Sequence, residues 1–195
     1  MTNTVENITQ NFLEVVQTFP EIRYIGDPIL RTPAATVEFT EGLKIGKRLG
    51  EILIQYRKKA GYGRGLAAAQ IGESKRVFVT YLNDQVQIYI NPEITWHSGK
   101  TNFYRELCLS NGPIWGDIER SESVRMSWTD ENREMQEKVV DGSLARIWQH
   151  EYDHLDEIIC LDKAVPGTIE FATSSPLTEQ FRDKSINIFP ACSAT

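Results

Sequence analysis

Apolar residues recur at helical spacing twice in the first third of the chain. The first stripe consists of Val5, Ile8, Phe12 and Val15. It predicts an amphipathic helix over residues 5–18, which Pro20 closes. The second stripe predicts a helix over residues 41–60, where Thr40 can cap the first turn and Gly61 can end the last.

Strand-like sequence follows these two helices. The predicted strands are residues 76–82, 86–90, 94–96, 123–128 and 135–140. Asn83-Asp84 separates the first two strands and Asp130-Glu131-Asn132 the last two, and both segments are typical of hairpin turns. Asp141-Gly142-Ser143 then opens a third helix, which is expected to run to about residue 156.

The order of these elements predicts the fold class. Strands follow one another without alternating helices, which favours an α+β fold. We expect mostly antiparallel sheets packed around a central helix, the third one. A chain of 195 residues suits one domain over residues 1–195, and we expect residues 167–195 to form a variable C-terminal tail.

Composition and charge make several functions improbable. The net charge is −6 and no dense Lys/Arg run occurs, so a direct nucleic-acid substrate is not expected. The sequence contains no run of 18 apolar residues, so a membrane span is not expected. The amino terminus lacks the pattern of a secretory signal. Three cysteines in a chain of this length do not suggest a disulfide framework, which favours a reducing cytoplasm.

Candidate chemistry lies in the third predicted helix. His150 and His154 are four residues apart, and Glu151 directly follows the first of them. At this spacing the two imidazoles share a helix face and can bind one metal ion, while Glu151 can act on water beside it. The alternative interpretation is an exposed helix face with two solvated histidines.

A catalytic metal site of this kind needs a third protein ligand and an open position. A carboxylate from Glu170 or Glu179 would make an H-E-x-x-H metalloprotease. A thiolate from Cys108 would make a different site, because a metal ion deprotonates a coordinating thiol. Spacing alone leaves both possibilities open.

Three short motifs identify a resemblance. Residues 63–70 read GRGLAAAQ, residues 106–110 read ELCLS, and residues 149–155 read QHEYDHL. In this order they resemble the motifs G-x-G-L-A-A-x-Q, E-G-C-L-S and Q-H-E-x-D-H-L of the peptide deformylase family. The one departure is Leu107, which stands where the family has glycine, and the resemblance spans roughly residues 24–163.

The resemblance implies a metal-dependent hydrolase. It removes the formyl group from the formyl-methionine of nascent polypeptides and releases formate. Cys108, His150 and His154 would bind one divalent metal ion, Fe²⁺ natively, with Zn²⁺, Ni²⁺ or Co²⁺ as substitutes. Glu151 would act as general base and then as general acid. The family also implies a contact with the ribosome for the C-terminal tail.

The resemblance also implies how the substrate is held. The side-chain amide of Gln70 and the backbone N–H of Leu109 would stabilise the oxyanion. We expect the substrate pocket to be lined by Gly65, Arg64, Tyr104, Leu107 and Ile147. Because Leu107 adds a side chain in this pocket, an alternative is a deformylase-like protein that binds formylated peptides with altered or lost activity.

A supporting ion pair is expected beside the metal. In the family the motif's glutamate pairs with an arginine ten residues after the motif's serine, which corresponds to Glu106 and Arg120 here. Asp153 points away from the ligand face and is expected to hold a supporting partner. Glu157 stands where the family has a glycine after the third helix.

Overall fold

The computed structural model describes residues 5–186 of the chain. It contains three α-helices: α1 Val5–Thr18, α2 Phe39–Ala60 and α3 Gly142–Leu155. It contains eight strands: β1 Gly65–Ala67, β2 Val77–Leu82, β3 Gln85–His97, β4 Thr101–Leu107, β5 Ile114–Ser121, β6 Ser123–Thr129, β7 Met135–Asp141 and β8 Glu170–Phe171. Within residues 5–186, no helix is both long enough and apolar enough to cross a membrane.

The strands form two antiparallel sheets. The larger has the order β1-β2-β3-β6-β7 and the smaller the order β4-β5-β8. Helix α2 packs on one face of the larger sheet, and α3 contacts its other face together with β5 of the smaller sheet. Alternate residues of β2 show this arrangement, because Val77 and Val79 belong to the core under α2 whereas Phe78 belongs to the core under α3. The predicted α+β class with a central helix is confirmed.

The bounds of the first two helices test the predicted caps. Helix α1 has the predicted bounds, and α2 ends at Gly61, whose φ is +81°. The prediction that Thr40 caps α2 was wrong. The helix begins at Phe39 after Glu38, so Thr40 lies inside its first turn. The apolar side chain of Phe39 packs against the core at this helix start, which extends the helix beyond the polar signal.

Strand β3 joins two segments that were predicted as separate strands. Asn91-Pro92 interrupts the sequence pattern, but the strand continues through a register shift between Ile90 and Glu93. Asn91 has a φ of +49°, and its side-chain amide both accepts from and donates to the backbone of Val37 at 2.9 and 2.8 Å. The bulge at this point accommodates Pro92, which has no N–H to donate to the neighbouring strand.

The apolar pattern of the sequence did not predict strands β4 and β5. Their buried positions include the charged residues Arg105, Glu106, Asp117 and Arg120. Apolar alternation is the signal by which a strand is recognised, and here ion pairs replace apolar contacts across the hairpin. The missing pattern is therefore a consequence of the buried charge network that this hairpin carries.

The segment after residue 166 lies along the smaller sheet as far as it is described. Strand β8 pairs with β5, and Arg182 exchanges backbone hydrogen bonds with Phe103 of β4. Asp117 holds the end of the segment by accepting from Arg182 Nη2 at 2.7 Å, Ser185 Oγ at 2.9 Å and the N–H of Ile186 at 2.7 Å. Burial opposes the ionisation of Asp117, but these donors outweigh it and lower its pKa.

Candidate metal centre

Three potential ligands meet between α3 and the end of β4. Cys108 directly follows β4, and His150 and His154 lie one turn apart on α3. One ligand atom from each lies within 4.8 Å of the others, and Cys108 Sγ is 3.3 Å from Nε2 of His154. Bonds of about 2.0–2.3 Å to a common metal place neighbouring ligand atoms roughly 3–4 Å apart, so one thiolate and two imidazoles fit a divalent ion here.

Glu106 holds the first histidine in place. Its Oε2 lies 2.8 Å from Nδ1 of His150, which leaves Nε2 as the ring nitrogen available for a metal. The predicted ion pair with Arg120 is present and bidentate, at 2.7 and 2.9 Å. Arg146, a further partner, donates to the same carboxylate at 2.6 Å. Burial alone raises the pKa of Glu106, but Arg120 and His150 hold it well below its usual value.

A second layer supports this carboxylate. Arg120 Nη1 donates to Asp153 at 2.7 Å, and Lys163 donates to the other oxygen of Asp153 at 2.6 Å. Arg120 is therefore neutralised on two sides while it lies in the protein interior. A buried charge is tolerated when it is paired and hydrogen-bonded in this way, so the network can position His150 rigidly.

Another cysteine lies close to this network. Within residues 5–186, Glu106, His150 and Cys160 form the other group whose ligand atoms are close enough for one metal ion. However, Glu106 is already engaged by two arginines, and Cys160 accepts a hydrogen bond from Asn111 at 3.0 Å. The Cys108 group is therefore the better candidate for a metal.

Glu151 lies beside the cluster with one carboxylate oxygen free. Its side chain is buried, and Oε2 has no hydrogen-bond partner among the described residues. Burial raises the pKa of Glu151 to about 7. A carboxyl group with this pKa can accept and return a proton near neutral pH.

Gly65 makes room for that carboxylate. A Cβ atom on Gly65 would lie 2.3 Å from Oε1 of Glu151, closer than real Cβ contacts occur. We expected Gly65 to line the substrate pocket. The structure gives a reason for glycine at this position, because β1 and α3 approach each other here.

The predicted oxyanion donors flank Cys108. Gln70 Nε2 is 3.4 Å from Cys108 Sγ and donates to Ser110 Oγ at 3.1 Å, while Gln70 Oε1 accepts from the N–H of Ala67 at 2.8 Å. The hydrogen bond from Ala67 fixes the orientation of the amide. Leu109 begins the short 3-10 helix Leu109–Asn111, so its N–H has no partner inside that helix.

One cavity collects most of the predicted site residues. Its walls include Arg64, Gly65, Gln70, Tyr104, Leu107, Cys108, Leu109, Ile147, His150 and Glu151. His154 lies deeper, with an exposure of 1%. Sequence reasoning missed Tyr62 and Leu177, which also line the cavity. Leu177 comes from the segment after residue 166, where no motif pointed to the site.

Leu107 fits its strand without backbone strain. It is the last residue of β4, it pairs with Trp115 of β5, and it is not among the residues with positive φ. Its partly exposed side chain forms part of the cavity wall. The difference from the family motif therefore changes the shape of the pocket and leaves the backbone conformation normal.

The carboxylates proposed for a protease site lie elsewhere. Glu170 pairs with Arg105 and accepts from the indole N–H of Trp115 at 3.2 Å. Glu179 belongs to neither group of potential metal ligands within residues 5–186. The third ligand available to the two histidines is Cys108.

Known proteins are similar to this chain in sequence and in fold. The family model described as polypeptide deformylase matches residues 19–169. A peptide deformylase of Pseudothermotoga lettingae is 39% identical over 166 residues, which cover 83% of this chain and 92% of that protein.

Two solved structures are similar to about three quarters of this chain. The peptide deformylase of Thermotoga maritima has a TM-score of 0.67 and 38% identity, covering 74% of this chain and 97% of that one. A peptide deformylase from Synechococcus elongatus, in complex with actinonin, has a TM-score of 0.67 and 36% identity, covering 75% of this chain and 79% of that one.

Proposed function

This chain belongs to the polypeptide deformylase family, and we propose that Cys108, His150 and His154 hold the metal ion of its active site. The observation that carries the proposal is the convergence of one thiol and two imidazoles within 4.8 Å, with Glu151 in the same cavity wall. The reaction is hydrolysis of a formyl amide, which releases formate from the amino terminus of a polypeptide.

A bound divalent ion would supply Lewis-acid chemistry, which acidifies water and polarises a carbonyl group. Glu151 accepts the proton of the attacking water and later donates it to the leaving amine. Its pKa of about 7 suits both roles. Its burial keeps this proton transfer away from bulk water, and its Oε2, which has no partner among the described residues, is available to accept the proton.

Gln70 and Leu109 stabilise the negative charge that develops on the formyl oxygen. The amide of Gln70 is oriented before the substrate arrives, because Ala67 fixes its oxygen. The N–H of Leu109 lies at the start of a short helix, where it is available to an acceptor. Donors that are already in position cost little reorganisation as the charge develops.

The substrate binds as an extended peptide between two sheet edges. Strand β1 is an edge of the larger sheet, β4 is an edge of the smaller sheet, and residues of both line the cavity. Edge strands offer free backbone groups to a peptide. We assign the methionine pocket to Tyr104, Leu107 and Ile147, with Gly65 and Arg64 in the wall of the same cavity.

The cellular setting follows the same proposal. We propose N-formyl-methionyl nascent polypeptides as substrates, the cytoplasm as the location, and Fe²⁺ as the native ion, for which Zn²⁺, Ni²⁺ or Co²⁺ can substitute. Cys108 and Cys160 are free thiols, which agrees with a reducing compartment. We also propose that residues 1–195 form one catalytic domain, with residues 167–195 as its variable tail and a contact with the ribosome.

The direct test is formate release from formyl-Met-Ala-Ser by protein loaded with Fe²⁺ or Co²⁺. The proposal predicts multiple turnovers and one free peptide amine for each formate. A metal-loaded, folded protein that binds the peptide without releasing formate would contradict it. Cleavage at an internal peptide bond would instead indicate a protease.

A further inference from the structure

Apart from the candidate general base Glu151, the charged groups around the substrate cavity are paired with one another, with one basic exception. Glu106 is paired with Arg120 and Arg146 and bonded to His150. Arg105 is paired with Asp117 and Glu170. These paired residues therefore present little net charge to a substrate.

Arg64 is the exception. It lines the cavity next to Gly65, it is half-buried, and no ion pair with an acidic residue is found for it within residues 5–186. Its Nη2 is 3.5 Å from the hydroxyl of Tyr104, and its guanidinium lies 5.9 Å from the centre of that ring. The aromatic ring orients the cation but does not neutralise it.

The backbone around Arg64 is also held in place. Its carbonyl accepts from the N–H of Tyr81 at 2.8 Å, and the carbonyl of Gly63 accepts from Arg57 Nη1 at 3.0 Å. The guanidinium therefore stands on a fixed loop at the entry to β1. An oriented arginine loses less conformational entropy when it binds a carboxylate, which raises the affinity gained.

Resting on the proposed function, we infer that Arg64 makes this enzyme select formylated peptides with an acidic side chain soon after the first residue. Arg64 directly precedes β1 and lines the same cavity as Gly65, so a peptide extended along that strand lies within reach of its guanidinium. The chain as a whole has a net charge of −6, which disfavours anionic ligands at long range. A preference for acidic side chains therefore requires a local cation that is not already paired with an acidic residue, and Arg64 is such a cation within residues 5–186.

The test compares formyl-Met-Glu-Ala with formyl-Met-Gln-Ala, and formyl-Met-Ala-Glu with formyl-Met-Ala-Gln. Each pair differs only in charge. We expect kcat/KM to favour glutamate about three- to fivefold in at least one pair, as for a partly exposed ion pair, and high salt to reduce the ratio. The ratio should fall to about one in Arg64→Met and should invert in Arg64→Glu.

Arg125→Met is the matched control, because Arg125 is exposed on β6 and its removal changes the net charge equally. It should keep the preference. Equal rates for glutamate and glutamine in both pairs, or a preference that survives Arg64→Met, would overturn the inference.

Failure of the proposed function has a different signature, namely no formate from any peptide. In that case the Kd ratio of the same peptides for the metal-loaded protein, measured by calorimetry, decides the role of Arg64. Tighter binding of the glutamate peptide that is lost in Arg64→Met would support it. Equal binding of the paired peptides would overturn it.

Discussion

The carboxylate of Glu106 is hydrogen-bonded to His150 and paired with two buried arginines. The contact from Oε2 to Nδ1 is 2.8 Å, and Arg120 and Arg146 approach the same carboxylate at 2.6–2.9 Å. The orientation of one candidate ligand thus depends on a network that joins β4, β5 and α3. Metal affinity and folding stability are therefore coupled through a single side chain.

Glu106→Gln tests this coupling. The variant loses the negative charge that Arg120 and Arg146 share, so we expect a destabilisation of about 3–5 kcal/mol and roughly 10- to 100-fold weaker metal binding. Chelator competition and urea denaturation measure the two effects. Glu119→Gln, an exposed isosteric change on β5, is the control and should alter neither. Unchanged metal affinity in Glu106→Gln would remove its positioning role.

Glu151→Gln should stabilise the metal-free protein at alkaline pH. The pKa of Glu151 is about 7 in the folded protein, whereas the pKa of a glutamate in an unfolded chain is about 4.3. Ionisation of Glu151 therefore destabilises the fold progressively as the pH rises between these values, by an amount on the order of 3 kcal/mol. We expect the variant to exceed the wild type in free energy of unfolding at pH 8 and to match it near pH 4. Equal pH profiles would contradict the raised pKa.

Gly65→Ala should displace the general base. The new Cβ would lie 2.3 Å from Oε1 of Glu151, so the carboxylate must move, and we expect kcat/KM to fall roughly 100-fold. Gly99→Ala is the control, because nothing lies within 4 Å of the added atom and its φ is not positive. Formate release measures both variants. Full activity in Gly65→Ala would show that Glu151 tolerates the displacement.

Glu157→Gly should stabilise the fold. Glu157 has a φ of +66° two residues after the end of α3, where Ile158 N–H donates to the carbonyl of Asp153 at 2.9 Å. This is a left-handed helix end that favours glycine, and relief of the strain should contribute about 1 kcal/mol. Glu157→Ala removes the charge but keeps the strain. Thermal denaturation should therefore show a higher Tm for Glu157→Gly than for the wild type and no such increase for Glu157→Ala. An equal increase in Glu157→Ala would assign the effect to the charge at the helix end.

The two histidines and Glu151 could be predicted because helical spacing is a local property of the sequence. Residues alone could not decide the role of Cys108. Its position depends on β4 and β5, whose buried charges hide the strand pattern and whose pairing joins residues distant in sequence. Only the motif resemblance placed Cys108 with the histidines.

Two further features were beyond the reach of the sequence. The bond of Arg146 to Glu106 requires the fold, because the two residues are 40 positions apart in the sequence. Leu177 reaches the cavity only because its segment follows the smaller sheet, to which Asp117 attaches residues 182–186. Such long-range contacts leave no periodic signal in either partner.

Formate release by metal-loaded Cys108→Ala, compared with Cys160→Ala and the wild type, tests the central claim most directly. Both cysteines are buried, and each belongs to one of the two groups that could hold a metal ion. The account predicts that Cys108→Ala releases no formate above background, whereas Cys160→Ala retains most of the wild-type rate. Activity that survives Cys108→Ala and is lost in Cys160→Ala would contradict it.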